Sequence, residues 1–168
     1  GGPHAEVQAI ASAGPRARGA DLFTTLEPCD HYGRTPPCTE AILAAGIARV
    51  FAGSADPNPL VDGRGVLRLR GLGMPVWTGL LSAETDALNR PFFKAMRSGL
   101  PWVTLKAAVS LDGKLATASG DRRWVTGEAA RTEVHRLRNI VDAVLVGAGT
   151  VRADDPSLTT RLPEGGGR

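Results

Sequence analysis

A His-x-Glu triplet followed by two cysteines in one loop constrains this chain more than anything else in it. His4-Ala5-Glu6 stands near the start, and Pro28-Cys29-Asp30-His31-Tyr32-Gly33-Arg34-Thr35-Pro36-Pro37-Cys38 follows. An imidazole and two thiols are the donors that hold zinc, and a fold that uses them must bring all three to one point. A zinc with three protein ligands keeps a fourth position for water, whose proton it makes easier to lose. Glu6, two residues past His4, is the candidate acid/base that carries a proton from that water to a departing nitrogen. His4, Cys29, Cys38 and Glu6 are therefore the inventory of a hydrolytic deamination.

Other readings use the same residues. Two cysteines flanking a Gly- and Pro-containing loop could form a disulfide, but His4 and Glu6 favour metal. His31 could add a fourth ligand and close the site around a structural zinc, which would leave Glu6 without a use. The eight residues between Cys29 and Cys38 depart from the two-residue spacing of common nucleobase deaminases.

The bulk composition narrows the class. At 168 residues and 42% apolar content, the chain can bury a core and hold one domain or one domain and part of another. The net charge of +3 is Arg-dominated, and its cations are interspersed with acids. That argues for small phosphorylated molecules, against a nucleic-acid tract and, with no long apolar stretch, against a membrane span. No signal-peptide pattern is visible, so a cytoplasmic location is expected. The start lacks an initiator Met and the end is glycine-rich, so the chain reads as a piece of a longer parent lacking both ends.

Along the chain, Pro3 to Ser12 reads as a helix with His4 at its start. Leu22 to Leu26 reads as a strand, and Thr39 to Ala45 as a helix stopped by Gly46 that places Cys38 near a helix N-terminus, where the dipole favours a thiolate. Arg49 to Ala52 and Pro75 to Thr78 read as further strands, with a short basic helix or turn between them, and the alternation favours a layered α/β sheet. A helix over Ala87 to Met96 is broken by Ser98-Gly99-Leu100-Pro101, where the domain boundary is placed. Beyond it, Trp102 to Ser110 and Lys114 to Thr117 read as strands around an Asp112-Gly113 turn. Glu128 to Asn139 reads as a helix and Ile140 to Val146 as a buried strand, together a βαβ crossover. Gly147-Ala148-Gly149 fails the dinucleotide fingerprint because Arg152 occupies its third glycine position.

These motifs resemble, over almost the whole chain, the bifunctional riboflavin-biosynthesis deaminase/reductase family. His4-Ala5-Glu6, the loop Pro28 to Cys38 and Asp56-Pro57-Asn58-Pro59 are similar to its deaminase half. The segment Leu105 to Lys114, with Asp154-Asp155-Pro156 to Arg161, is similar to its reductase half. The resemblance implies a cytidine-deaminase-like three-layer α/β/α domain over residues 1–98. The N-terminal part of a dihydrofolate-reductase-like α/β domain would follow over 101–168. It implies zinc on His4, Cys29 and Cys38, proton shuttling by Glu6, and substrate contacts at His31, Arg34 and Asn58. For the reductase half it implies NADPH contacts at Ala108, Trp124, Thr150 and Asp154, and substrate contacts at Arg138, Leu158 and Arg161. Arg122 stands where the family commonly has a small hydroxyl residue, so no contact is assigned to it. The implied substrate is a diamino-hydroxy-pyrimidine bearing a ribosylamino 5-phosphate, deaminated first and reduced in its sugar second. Nucleic acid and membrane are not expected partners, and self-association stays open. Another nucleobase, nucleoside or tRNA deaminase, or a non-catalytic zinc-stabilised module, are the alternatives.

Overall fold

The computed structural model describes residues 2–118, 125–165 and 167. It divides into two compact units, residues 1–103 and 104–168.

In the first unit, α1 (Ala5–Ala13) leads through a 3-10 turn (Gly14–Ala17) into β1 (Asp21–Leu26). Helix α2 (Cys38–Ala45), β2 (Arg49–Ser54), α3 (Arg64–Gly71) and β3 (Val76–Thr78) follow, then α4 (Ser82–Leu88) and α5 (Arg90–Ser98). The sheet is parallel in the order β1-β2-β3. Its register places Leu22 beside Val50 and Val50 beside Val76. Those three residues share a core with Ile42 and Ile47 from the α2 segment and Val66 and Leu69 from α3. Side chains alternate across a strand, so the next register row, Phe23, Phe51 and Trp77, lies on the opposite face. There the rings stack at 4.9 and 4.8 Å between centroids. Helix α4 packs on that same face, since a β-carbon on Gly53 would overlap Thr85. Ser54 Oγ donates to Asp86 Oδ1 at 2.6 Å, which fixes the helix to the end of β2.

Local sequence sets the ends of these elements. Gly46 closes α2 at φ 68°, a left-handed conformation that glycine adopts without steric penalty. The Ile47 amide then reaches back to the Ile42 carbonyl at 3.3 Å, which drops Ile47 into the core. The helix expected over Ala87 to Met96 is two helices that break at Asn89. Pro91 in the first turn of α5 has no N–H to carry the α4 ladder onward, and the last turn of α4 closes on Asn89, whose backbone N–H and Nδ2 both donate to the Thr85 carbonyl, at 3.1 and 2.8 Å.

In the second unit, the described residues form α6 (Glu128–Ile140) and α7 (Ala148–Asp154). The Asp112-Gly113 turn is present: Ser110 N donates to Lys114 O at 2.9 Å, and Gly113 sits at φ 78°. The expected strands over Trp102–Ser110, Lys114–Thr117 and Ile140–Val146 are not formed, so neither is the crossover. A strand exists only through a ladder of neighbouring backbone, and here the apolar side chains that such a ladder would bury stay out. Leu105 is 91% exposed and Leu145 98%.

Candidate metal centre

Three elements converge on one point. His4 is the residue that caps α1, Cys29 lies just beyond β1, and Cys38 opens α2. His4 Nδ1 lies 3.2 Å from Cys38 Sγ and 3.4 Å from Cys29 Sγ. All three donor atoms lie within 4.8 Å of one another. Cys29 and Cys38 are buried with Val61, and Val7 of α1 packs against them. His31 is not among the clustered donors, so the described residues offer three ligands rather than the closed set of four.

The electrostatics of this cluster test whether a cation fits. Burial, first, and then the Glu6 carboxylate and Cys29 push the Cys38 thiol well above its ordinary range. Two thiols and a carboxylate packed together are a poor place for negative charge unless a divalent ion compensates it, and a coordinating ion deprotonates its thiol outright. The donor set, its open geometry and the adjacent carboxylate thus fit zinc, with Glu6 placed to act beside the metal rather than on it.

The loop between the cysteines is staked down at several points. Thr39 Oγ1 donates to Asp30 Oδ1 at 2.6 Å, and Arg68 of α3 donates to the same oxygen at 2.8 Å. The Tyr32 hydroxyl reaches both Glu40 oxygens at 2.8 Å. This anchoring opens a cavity of about 230 Å³ lined by His4, His31, Gly33, Arg34 and Thr35, with Gly2 at its edge. His31 Nδ1 is buried and has no hydrogen-bond partner among the described residues. Asn58 does not line the cavity. Its Oδ1 accepts from Leu60 N at 3.1 Å, so this side chain builds the turn before α3.

In the second unit, Arg138, Leu158 and Arg161 are brought together. Arg138 Nη1 donates to the carbonyls of Ser157 and Thr159, each at 3.4 Å, and Arg161 Nη1 donates to their hydroxyls at 2.9 Å. The Arg161 backbone N–H donates to His135 Nδ1 at 3.1 Å. Thr150 and Asp154 lie on α7, both exposed, while Ala108 lies in the irregular segment 102–110. Among the described residues no side-chain hydrogen bond or ion pair links these three. Trp124 and Arg122 lie outside the described residues.

Residues 1–54 match the family described as the cytidine and deoxycytidylate deaminase zinc-binding region, and residues 101–167 match the RibD C-terminal domain. The riboflavin biosynthesis protein RibD of Bacillus amyloliquefaciens is 57% identical over 98% of this chain and 44% of its own length. The chain belongs to the RibD family. RibD of Escherichia coli is 51% identical over 98% of the chain and 45% of its own length. The chain therefore spans less than half the length of these curated relatives. Among solved structures, a Thermotoga maritima diaminohydroxyphosphoribosylaminopyrimidine deaminase/5-amino-6-(5-phosphoribosylamino)uracil reductase superposes with a TM-score of 0.90 at 50% identity. That match covers 98% of this chain and 48% of that one. Acinetobacter baumannii RibD superposes with a TM-score of 0.88 at 49% identity, covering 96% and 46%.

The fold class is thus a cytidine-deaminase-like zinc domain followed by part of a RibD C-terminal domain. The residues sequence reasoning passed over in this RibD-family chain are Glu27, Asp30, Asp56 and His135. Asp30 sits inside the cysteine loop, where a short carboxylate beside a helix start is a legible anchor. Glu27 and His135 meet partners far along the chain, which no local pattern encodes.

Proposed function

We propose that residues 1–98 are the zinc-dependent deaminase part, and residues 101–168 the opening of the NADPH-dependent reductase part, of a riboflavin-biosynthesis enzyme. The observation that carries this reading is the convergence of His4, Cys29 and Cys38 within 4.8 Å, with the Glu6 carboxylate close enough to act on Cys38. Bound there, zinc would supply an acidified water and Lewis-acid polarisation of the ring.

The chain's own residues do the remaining work. Glu6 would take one proton from the attacking water and pass it to the ring nitrogen, then take the remaining proton of the added hydroxyl and deliver it to the departing amine. His31 and Arg34 line the adjoining cavity, where the guanidinium suits a phosphate or a polar ring edge. In the second unit, Arg138, Leu158 and Arg161 would face the sugar phosphate. Ala108, Trp124, Thr150 and Asp154 would face the nicotinamide nucleotide. The family resemblance adds a substrate contact at Asn58, whose Oδ1 builds the turn and which does not line the adjoining cavity. The substrate is a phosphorylated diamino-hydroxy-pyrimidine, with neither nucleic acid nor membrane as partner and self-association left open. A cytoplasmic location accords with the finding that no helix among the described residues is long and apolar enough to cross a membrane.

The test is ammonia release from the ribosylaminopyrimidine 5-phosphate by zinc-loaded protein, compared with Glu6→Gln. Loss of roughly 10²-fold or more in rate is expected for removal of a general acid/base. Full release by Glu6→Gln overturns the reading.

A further inference from the structure

Glu27 is a carboxylate only 3% exposed, and the proposed chemistry gives it nothing to do. It follows the last residue of β1 and immediately precedes Pro28-Cys29, yet its side chain is spent on residues that come much later. Oε2 accepts from Gly63 N at 2.9 Å, and Oε1 accepts from Val66 N at 3.1 Å. These are free amides at the N-terminus of α3, which has no side-chain cap of its own and no acid in its first turn. The first turns of a helix leave such donors without intrahelical partners and carry partial positive charge, which suits a carboxylate. The Glu27 backbone is held as well, its N–H donating to Ser54 O at 3.0 Å.

Three further contacts tie this cap to the metal centre. A β-carbon on Gly65 would overlap the Pro28 carbonyl oxygen, so the first turn of α3 rests directly on the backbone next to Cys29. Val61, in the turn that leads into α3, is 2% exposed and shares one buried cluster with both cysteines. Thr39 N donates to Cys29 O at 3.2 Å, so the segment that Glu27 clamps is the same one that α2 grips.

We infer that Glu27 is a positioning residue that sets metal affinity by clamping the start of α3 onto the Pro28–Cys29 segment and holding Val61 in the buried cluster it shares with both cysteines. The inference rests on the reading that His4, Cys29 and Cys38 hold zinc. It assigns Glu27 no contact with metal or substrate. Supports of this indirect kind, when removed, weaken metal binding by about 10- to 100-fold.

The experiment is a cobalt(II) titration followed by thiolate–cobalt absorption, with zinc competition. It is run on the protein and on Glu27→Gln, Gly65→Ala and Leu69→Ala at a temperature where circular dichroism shows each to be folded. Gln presents an N–H₂ to an N–H and breaks one of the two cap bonds. Gly65→Ala pushes the helix off Pro28 while keeping the carboxylate, so the inference stays testable if Glu27→Gln does not fold. Leu69→Ala opens a buried site on the same helix away from the clamp. Glu27→Gln and Gly65→Ala are expected to weaken cobalt binding by about tenfold or more and to shift the absorption band. Leu69→Ala is expected to lower the melting temperature alone. Unchanged affinity in Glu27→Gln, or affinity that falls in step with melting temperature in all three variants, overturns the clamp while leaving the zinc reading intact. A parent protein that binds no cobalt overturns the zinc reading and the clamp with it.

Discussion

The backbone N–H of Cys38 donates to Cys29 Sγ across 3.4 Å. One cysteine is therefore oriented by the main chain of the other, and this amide stabilises the thiolate that a metal needs. Cys29→Ala is expected to reduce zinc from about one ion per chain to none, read by elemental analysis of dialysed protein. Retention of zinc in that variant would place the metal elsewhere.

Two substitutions, one in α2 and one at its C-cap, separate packing from backbone conformation. Ile42 is fully buried in the sheet–helix core, and Ile42→Ala is expected to destabilise the first unit by about 2–5 kcal/mol. Gly46, at φ 68°, has room for a β-carbon, whose nearest neighbour would be Arg18 at 3.6 Å. Gly46→Ala should thus cost only the left-handed strain, about 1–2 kcal/mol. Urea unfolding of both variants checks the order, and an equal loss in each contradicts this assignment of causes.

Asp56 holds its proton above the ordinary aspartate range because burial disfavours the carboxylate. The Asn58 N–H and His31 offset this in part, and Glu27 and Asp62 add to it. Across the interval above an ordinary value of about 4, the folded state binds more protons than the unfolded chain, so this group makes stability fall as pH rises. Asp56→Asn removes that slope. The melting temperature of the variant relative to the parent should climb from acid to neutral pH, and a gap that does not vary with pH would refute the assignment.

His135 is shifted the other way: desolvation first, then the Arg161 and Arg138 charges, lower its affinity for a proton. The folded state then binds fewer protons, so the contribution of His135 to stability is complete above an ordinary value of about 6.5 and fades as pH falls below it. Its Nδ1 accepts the Arg161 N–H, and protonation there breaks that bond. NMR titration should show a His135 midpoint below about 6.5, with the Arg161 amide resonance moving at the same pH. A higher midpoint would disprove it.

The zinc donors were legible because their identity and order are written in the chain, and residues near each of them have strong local signals. Pro3 stands just ahead of the His4 cap of α1, the run ending at Leu26 is a strand, and Gly46 ends α2. Glu27 was not legible, because its value depends on amides 36 and 39 residues away. The second unit misled in a different manner. Its apolar runs carry strand-like composition, but composition encodes what a segment would bury rather than which backbone pairs with it, and Leu105 and Leu145 remain exposed. The break at Asn89 was readable from Pro91 and was missed because the amphipathic pattern runs through it.

In β1-β2-β3 the spatial order is the order of synthesis. Each strand pairs with the next one made, so sheet growth requires few distant encounters and can follow the chain as it emerges. His4, Cys29 and Cys38 all precede β2, whereas Gly63 and Val66 come after it. A nascent chain thus owns all three donors before it owns the helix that presses on them, and metal capture can begin early and tighten as α3 arrives.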